Sequence, residues 1–337
     1  MKKSKILITG GAGFQGSHLV VDLIKKGNQV TILNTPSPEA IKNIQLITQE
    51  VDQRPYVVWG SVTDSEIIYK TMRDKDLVLH LAARINIDES LLDVKSFLDV
   101  NVYGTYNVLE AAIKLGTKVI YTSSCEIYGQ SGNPVRETIK INPKNILEEI
   151  NLNPHSPYAA TKCAADRLCY AYFKSFGLPV VIVRPFNLFG ERQKENGYGA
   201  VVPIFVRRAL EKKPLLIHGD GKQTRDYLYI SDLIRAYEIV FNNMDKFWGQ
   251  AVNIASGKKT SILKIANYIS RHFKVPIKHI KDRPGQVREY TADISKIKRF
   301  GFKPMVSLEK GLKRYINWRT FLSHKLQLSD QSDGQIL

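Results

Sequence analysis

A doubly wound α/β fold, a parallel sheet with helices on both faces, is predicted by three observations. Short apolar strands alternate with helical segments through the first half of the chain. The first strand, from Ile6, runs into the glycine turn ITGGAGFQG and straight on into a helical pattern. The residues with most chemistry to offer then fall just after strands, where an open parallel sheet binds its ligands. These are the marks of a Rossmann-type arrangement.

Taken in order, the first unit is Ile6 to Gly16, a strand, a tight turn and a helix start in immediate succession. Gly10, Gly13 and Gly16 serve a turn, a close backbone approach to a diphosphate, and close helix-on-strand packing. The anion then rests on the free N–H groups and positive dipole end of the helix, near Phe14 and Gln15. Glycines also make ordinary turns. Here the helix pattern runs on to Gly27 and a second strand, Gln29 to Leu33, completes the unit, which points to a dinucleotide. At the end of that strand a ribose-binding acid is usual, and Asn34 stands there. No arginine follows within several positions to receive a 2′-phosphate, so the expected cofactor is NAD rather than NADP.

The next strands are expected at Tyr56 to Trp59, Leu77 to Leu81, Lys118 to Thr122 and Val180 to Val183, with helical patterns at about 64–73, 91–115 and 156–176. Strand three leads to Gly60, Ser61 and Val62. Strand four leads through Leu81 to Ala82, Ala83 and Arg84, where small residues let a cofactor pass close to the backbone. Strand five leads to Ser123, Ser124, Cys125 and Glu126. About thirty residues later, Tyr158 and Lys162 stand four apart in a helical pattern and so point from one face. A lysine ammonium beside a phenol lowers its pKa, and a phenolate can take the proton of an alcohol whose carbon gives up hydride. A hydroxyl at Ser124 would hold the same alcohol oxygen.

Composition narrows the field. At 337 residues, with 43% hydrophobic and 24% charged residues, the chain has the make-up of a soluble globular protein. No run approaches a membrane span, and Met1-Lys-Lys-Ser leads directly into a strand rather than a signal peptide, so a cytoplasmic protein without a membrane partner is expected. Three cysteines without metal-like spacing suit a reducing compartment and no metal site. The net charge of +17 would suit nucleic acid, but no nucleic-acid module is present. A lysine-rich surface that attracts phosphorylated small molecules accounts for it.

The motifs ITGGAGFQG, HLAA, TSSCEIYG, YAATK and RPFNLFG together resemble the extended short-chain dehydrogenase/reductases, in the branch of sugar-nucleotide epimerases, dehydratases and decarboxylases. The likeness covers about residues 4 to 320. It implies an NAD-linked enzyme that oxidises a nucleotide-bound sugar at C4 and alters the 4-keto sugar. Ser124, Tyr158 and Lys162 would be the catalytic triad, with Tyr158 as base and Lys162 also on the nicotinamide ribose. Arg84, Asn187, Arg225 and Arg288 would face the nucleotide sugar, the two last arginines gripping its diphosphate. Asn34 and Ser61 depart from the acids the family usually carries at the adenosine end.

The resemblance also implies a dinucleotide-binding unit over residues 1–184, with the substrate lobe mainly over 185–322. From about Ser323 to 337 a loose polar tail is expected. Helices 91–115 and 156–176 resemble the pair that joins two subunits, which implies a homodimer. The pair Cys125 and Glu126 occupies the places where dehydratases hold an acid and a C5 base, although Asp or Ser is more usual before the Glu. That favours a 4,6-dehydratase-type lyase over a C4 epimerase, with a decarboxylase and a non-catalytic dinucleotide-binding protein as further alternatives.

Overall fold

The computed structural model describes residues 3–129, 152–195, 200–282, 289 and 291–333. Seven parallel strands form the main sheet: β1 (Lys5–Thr9), β2 (Gln29–Asn34), β3 (Tyr56–Trp59), β4 (Leu77–His80), β5 (Lys118–Thr122), β6 (Val180–Pro185) and β10 (Ala251–Ile254). Their spatial order is β10-β6-β5-β4-β1-β2-β3. The order reverses at β1, which pairs with β2 on one side and β4 on the other, so Ile8 lies between Ile32 and Leu79. A crevice at the carboxyl ends of the strands opens at such a reversal.

The strands are apolar on both faces because both are covered. Side chains alternate between two cores: Ile6 and Ile8 enter one and Leu7 the other, as do Val181 and Val183 against Val180 and Ile182. Helices α1 (Phe14–Lys25) and α2 (Pro38–Glu50) lie on the first side, and α3 (Ser65–Met72) on the second. The sequence pattern did not separate α2. Ser37 caps it, accepting from Ala40 N at 3.1 Å, with Pro38 in its first turn.

The expected single helix at 91–115 is four pieces: α4 (Ile87–Leu92), α5 (Val94–Phe97), a π-helical turn (Leu98–Tyr103) and α6 (Gly104–Leu115). Asp93 interrupts the run, ending α4 and accepting from Ser96 N to start α5. Helix α7 (Pro157–Phe176) begins at Ser156, whose hydroxyl caps Ala159 N at 3.1 Å, and ends at the left-handed Gly177.

Beyond Pro185 the chain builds α8 (Val201–Leu210), α9 (Ile230–Asn242), α10 (Met244–Phe247), α11 (Ile262–Phe273), α12 (Ser295–Lys298) and α13 (Leu308–Asp333). Strands β7 (Asn187–Phe189), β9 (Thr224–Tyr229) and β11 (Lys259–Ser261) form a second sheet, and β8 (Leu215–His218) pairs with β12 (Ile277–Ile280). Only Phe186 separates β6 from β7, so one strand direction feeds both sheets. Two features differ from the sequence reading. Strand β10, although beyond residue 184, completes the first sheet against β6. Helix α13 continues to Asp333, through the start of the expected loose tail. Among the described residues no helix is long and apolar enough to cross a membrane, and no cluster of side chains could hold a metal ion.

Candidate active site

The glycine turn leaves β1 and enters α1 in four residues, Gly10 to Gly13. Gly10 has φ +71°, and a Cβ there would lie 2.8 Å from Ala82 N. A Cβ on Gly16 would lie 2.3 Å from the Gly10 carbonyl oxygen. The turn therefore keeps its floor clear only with hydrogen at both positions. Gly13 is the N-cap of α1 and no side chain caps it, which leaves the N-terminal dipole open to an anion beside Phe14 and Gln15. Gln15 Oε1 is buried there without a hydrogen-bond partner.

Asn34 ends β2 and braces this turn. Its Oδ1 accepts from Ala12 N at 3.1 Å and its Nδ2 donates to Thr35 O at 2.8 Å, while Asn43 Nδ2 donates to Ala12 O at 2.8 Å. Ser61, after β3, pairs with the Thr63 hydroxyl at 2.8 Å and accepts from Thr63 N. Val62 is buried against α6, where a Cβ on Gly104 would come within 2.4 Å of it. After β4, Leu81 N donates to Thr9 O and Ala82 N to Thr9 Oγ1. Ala83 follows on the same crossing segment.

The residues expected to be catalytic converge from two elements. Ser124 caps the one-turn helix Cys125–Tyr128, its Oγ accepting from Glu126 N at 3.2 Å. The same side chain lies near enough to the Tyr158 phenol to hold its pKa down. Burial raises the phenol above its ordinary pKa, Ser124 works against that, and the charges of Glu126 and Cys125 raise it further. The sequence assigned the lowering of this phenol to Lys162. The structure gives that part to Ser124, because the Lys162 ammonium instead donates to Thr122 O at 2.5 Å and lies 4.4 Å from the Tyr121 ring centroid. Burial pushes Lys162 down to about 7, with Cys169 and Asp166 opposing. Cys125 is 5% exposed, packed in the apolar core beside the turn.

Several residues around these groups had no role in the sequence reading. His80 is buried between Thr9 Oγ1 at 2.7 Å and Thr105 Oγ1 at 3.0 Å, and burial with the nearby Lys162 charge pushes it down to about 3, so it is neutral. Asn101, on the π-helical turn, clamps Arg84 through both its backbone N and O and donates to Thr161 Oγ1 at 3.0 Å. The four-residue step from Lys162 to Asp166, the same spacing that joined Tyr158 to Lys162, could have singled out Asp166.

Of the residues expected to face substrate, Asn187 stands at the start of β7 with its Oδ1 buried and without a hydrogen-bond partner. Arg225 is on β9 and donates to Thr224 O at 2.8 Å. The Arg84 guanidinium lies 5.0 Å from the Phe97 ring centroid, bonds Glu89 at 3.2 Å and sits 3.7 Å from Asp93. Arg288 lies outside the described residues.

Residues 6–255 match the NAD dependent epimerase/dehydratase family. The chain is 35% identical over 325 residues to the UDP-N-acetyl-alpha-D-glucosaminuronate decarboxylase of Bacillus cytotoxicus, covering 94% of this chain and 98% of that protein. It is 32% identical to the dTDP-D-glucose 4,6-dehydratase of Dictyostelium discoideum, covering 93% and 81%. Among solved structures it resembles UDP-glucuronic acid 4-epimerase from Bacillus cereus in complex with UDP-glucuronic acid and NAD, at TM-score 0.84 and 31% identity over 94% of this chain and 99% of that one.

Proposed function

Because the chain belongs to the NAD dependent epimerase/dehydratase family, we propose that it acts on a nucleoside-diphosphate sugar through a 4-keto intermediate, as a 4,6-dehydratase-type lyase. The cradle fits NAD: the cleared glycine floor and the free backbone N–H groups at the uncapped start of α1 would receive its diphosphate. NAD, when bound, supplies an acceptor for the C4 hydride and a donor for its return.

The protein's own groups do the rest. Ser124 would hold the C4 oxygen, and Tyr158 would take its proton; Lys162 would hold the nicotinamide ribose. Asn187 and Arg225, joined by Arg288, would hold the sugar nucleotide. Once C4 is a ketone, the C5 proton is acidic. Glu126 would remove it and Cys125 would protonate the departing C6 hydroxyl, so that one water is lost.

The observation that carries the lyase reading is the place of Glu126. It is two residues beyond Ser124 on the same one-turn helix, close enough for its charge to raise the Tyr158 phenol. A second reading, C4 epimerase, is favoured by the burial of Cys125 among apolar side chains, a poor place from which to protonate a leaving group. The two separate in heavy water. With NAD and a panel of UDP, dTDP, GDP and CDP sugars, a dehydratase yields a product lighter by one water carrying solvent deuterium, and Glu126→Gln stops water loss while C4 oxidation persists. A product of unchanged mass and inverted C4 overturns the lyase reading.

The same reading includes a homodimer. Leu98, Tyr103 and Tyr106 on the π-helical turn and α6, with Tyr170 and Phe176 on α7, are 39–64% exposed in the single chain. An apolar face of two adjacent helices suits burial against a second copy.

A further inference from the structure

A chain of buried and half-buried polar side chains lies behind the reacting groups, and the chemistry above does not use it. Arg184 Nε donates to Asp166 Oδ2 and Arg184 Nη2 to Asp166 Oδ1, both at 2.9 Å, with both side chains 0% exposed. The remaining edge of the guanidinium, Nη1, donates to the Tyr128 phenol at 2.8 Å, and that phenol donates to Asn253 Oδ1 at 2.8 Å. Four elements meet here. Asp166 is on α7, one turn past Lys162 and two past Tyr158; Arg184 is on β6, Asn253 on β10, and Tyr128 closes the one-turn helix that Ser124 caps.

Stability alone does not account for such a group. A buried ion pair is often no better than apolar side chains of the same volume, because desolvation offsets the attraction. What the pair offers is direction. A guanidinium holds its partners in one plane at set angles, and here one fork takes the helix that carries Tyr158 and Lys162 while the third nitrogen takes the turn that carries Ser124 and Glu126.

We infer that Asp166, Arg184, Tyr128 and Asn253 form a positioning bracket that fixes the Ser124–Tyr128 turn against the catalytic helix, and so sets Ser124 and Glu126 relative to Tyr158. For Glu126 the inference rests on the reaction proposed above; for Ser124 it rests on its place as the cap of the turn that Tyr128 closes. Asn253 ties the bracket to the strand that the second half of the chain contributes to the sheet, with Asn253 Nδ2 reaching Asp293 O at 3.3 Å.

The test variant is Tyr128→Phe, which keeps the ring and the Asp166–Arg184 pair and removes only the phenolic link. Its control is Tyr172→Phe on the far part of α7, the helix of Asp166, which removes a phenol bonded to Glu110 Oε1 at 2.7 Å. With saturating nucleotide sugar, the single-turnover rate of nicotinamide reduction is expected to fall about tenfold or more in Tyr128→Phe, with KM little changed, while the control reacts as the unaltered enzyme does. In the double variant with Glu126→Gln, the loss of turnover should be smaller than the product of the single losses, because both act through one turn. Equal reduction rates in Tyr128→Phe and Tyr172→Phe overturn the inference. Unchanged turnover in Glu126→Gln alone removes the lyase reading and leaves the bracket to stand or fall on the reduction rate.

Discussion

Replacing Lys162 by methionine tests the electrostatics of the site without any substrate. Burial takes this ammonium from 10.5 to about 7. At about 1.4 kcal/mol per pH unit, holding the charged form in the fold costs about 5 kcal/mol. The direction follows from proton counting. Between pH 7 and 10.5 the unfolded chain binds this proton and the folded one does not, so the contribution of Lys162 to stability improves as pH rises. The methionine variant lacks the group and every other titration is shared. It is expected to be the more stable protein at pH 6, less about 1–2 kcal/mol for the lost bond to Thr122 O and the lost contact with the Tyr121 ring. Between pH 6 and pH 9 its advantage should shrink by about 2.5 kcal/mol. Urea titrations of both proteins at the two pH values measure that difference. A gap independent of pH would mean that Lys162 keeps an ordinary pKa, and the account of its burial would be wrong.

Two further outcomes follow from the geometry. Gly16→Ala would place a Cβ 2.3 Å from the Gly10 carbonyl oxygen, backbone against backbone; the dissociation constant for NAD, read by calorimetry, should rise about a hundredfold, and unaltered binding would remove the turn from the cofactor site. Leu98→Glu combined with Tyr103→Glu puts two charges on the exposed apolar face. Sedimentation should show a dimer become a monomer, and an unaltered protein that already sediments as a monomer refutes the assembly.

The first half of the fold was legible because its strands are short, apolar and bounded by glycines or polar residues, a pattern with one good solution. The break at Asp93 was not, since the sequence from 91 to 115 is helical throughout and the interruption depends on how Asp93 caps Ser96 and how Asn101 clamps the loop at Arg84. Strands β7, β9 and β11 were hidden for another reason: β7 and β11 have three residues each, β9 carries Arg225 and Asp226 within its run, and their partners lie far away in the chain. At the site, Ser124 and Tyr158 could be paired from residue types and spacing, but which neighbour tunes the phenol could not. That depends on the rotamer of Lys162, which turns to Thr122, and on the Ser124 hydroxyl, which accepts from Glu126 N and so has its own hydrogen to offer. The sequence likewise placed Asn34 at the ribose, whereas its amide also holds up the glycine turn at Ala12.

The return of β10 to the first sheet makes the two halves of this protein inseparable as modules. A fragment cut after residue 184 would expose the open edge of β6, whose residues Val180 to Arg184 are fully shielded in the intact chain. Such a parallel edge invites self-association rather than folding. Exchanging substrate lobes with a relative therefore transfers a strand of the cofactor sheet as well. Any chimaera has to match Ala251–Ile254 to the recipient's β6 before its new specificity can be judged.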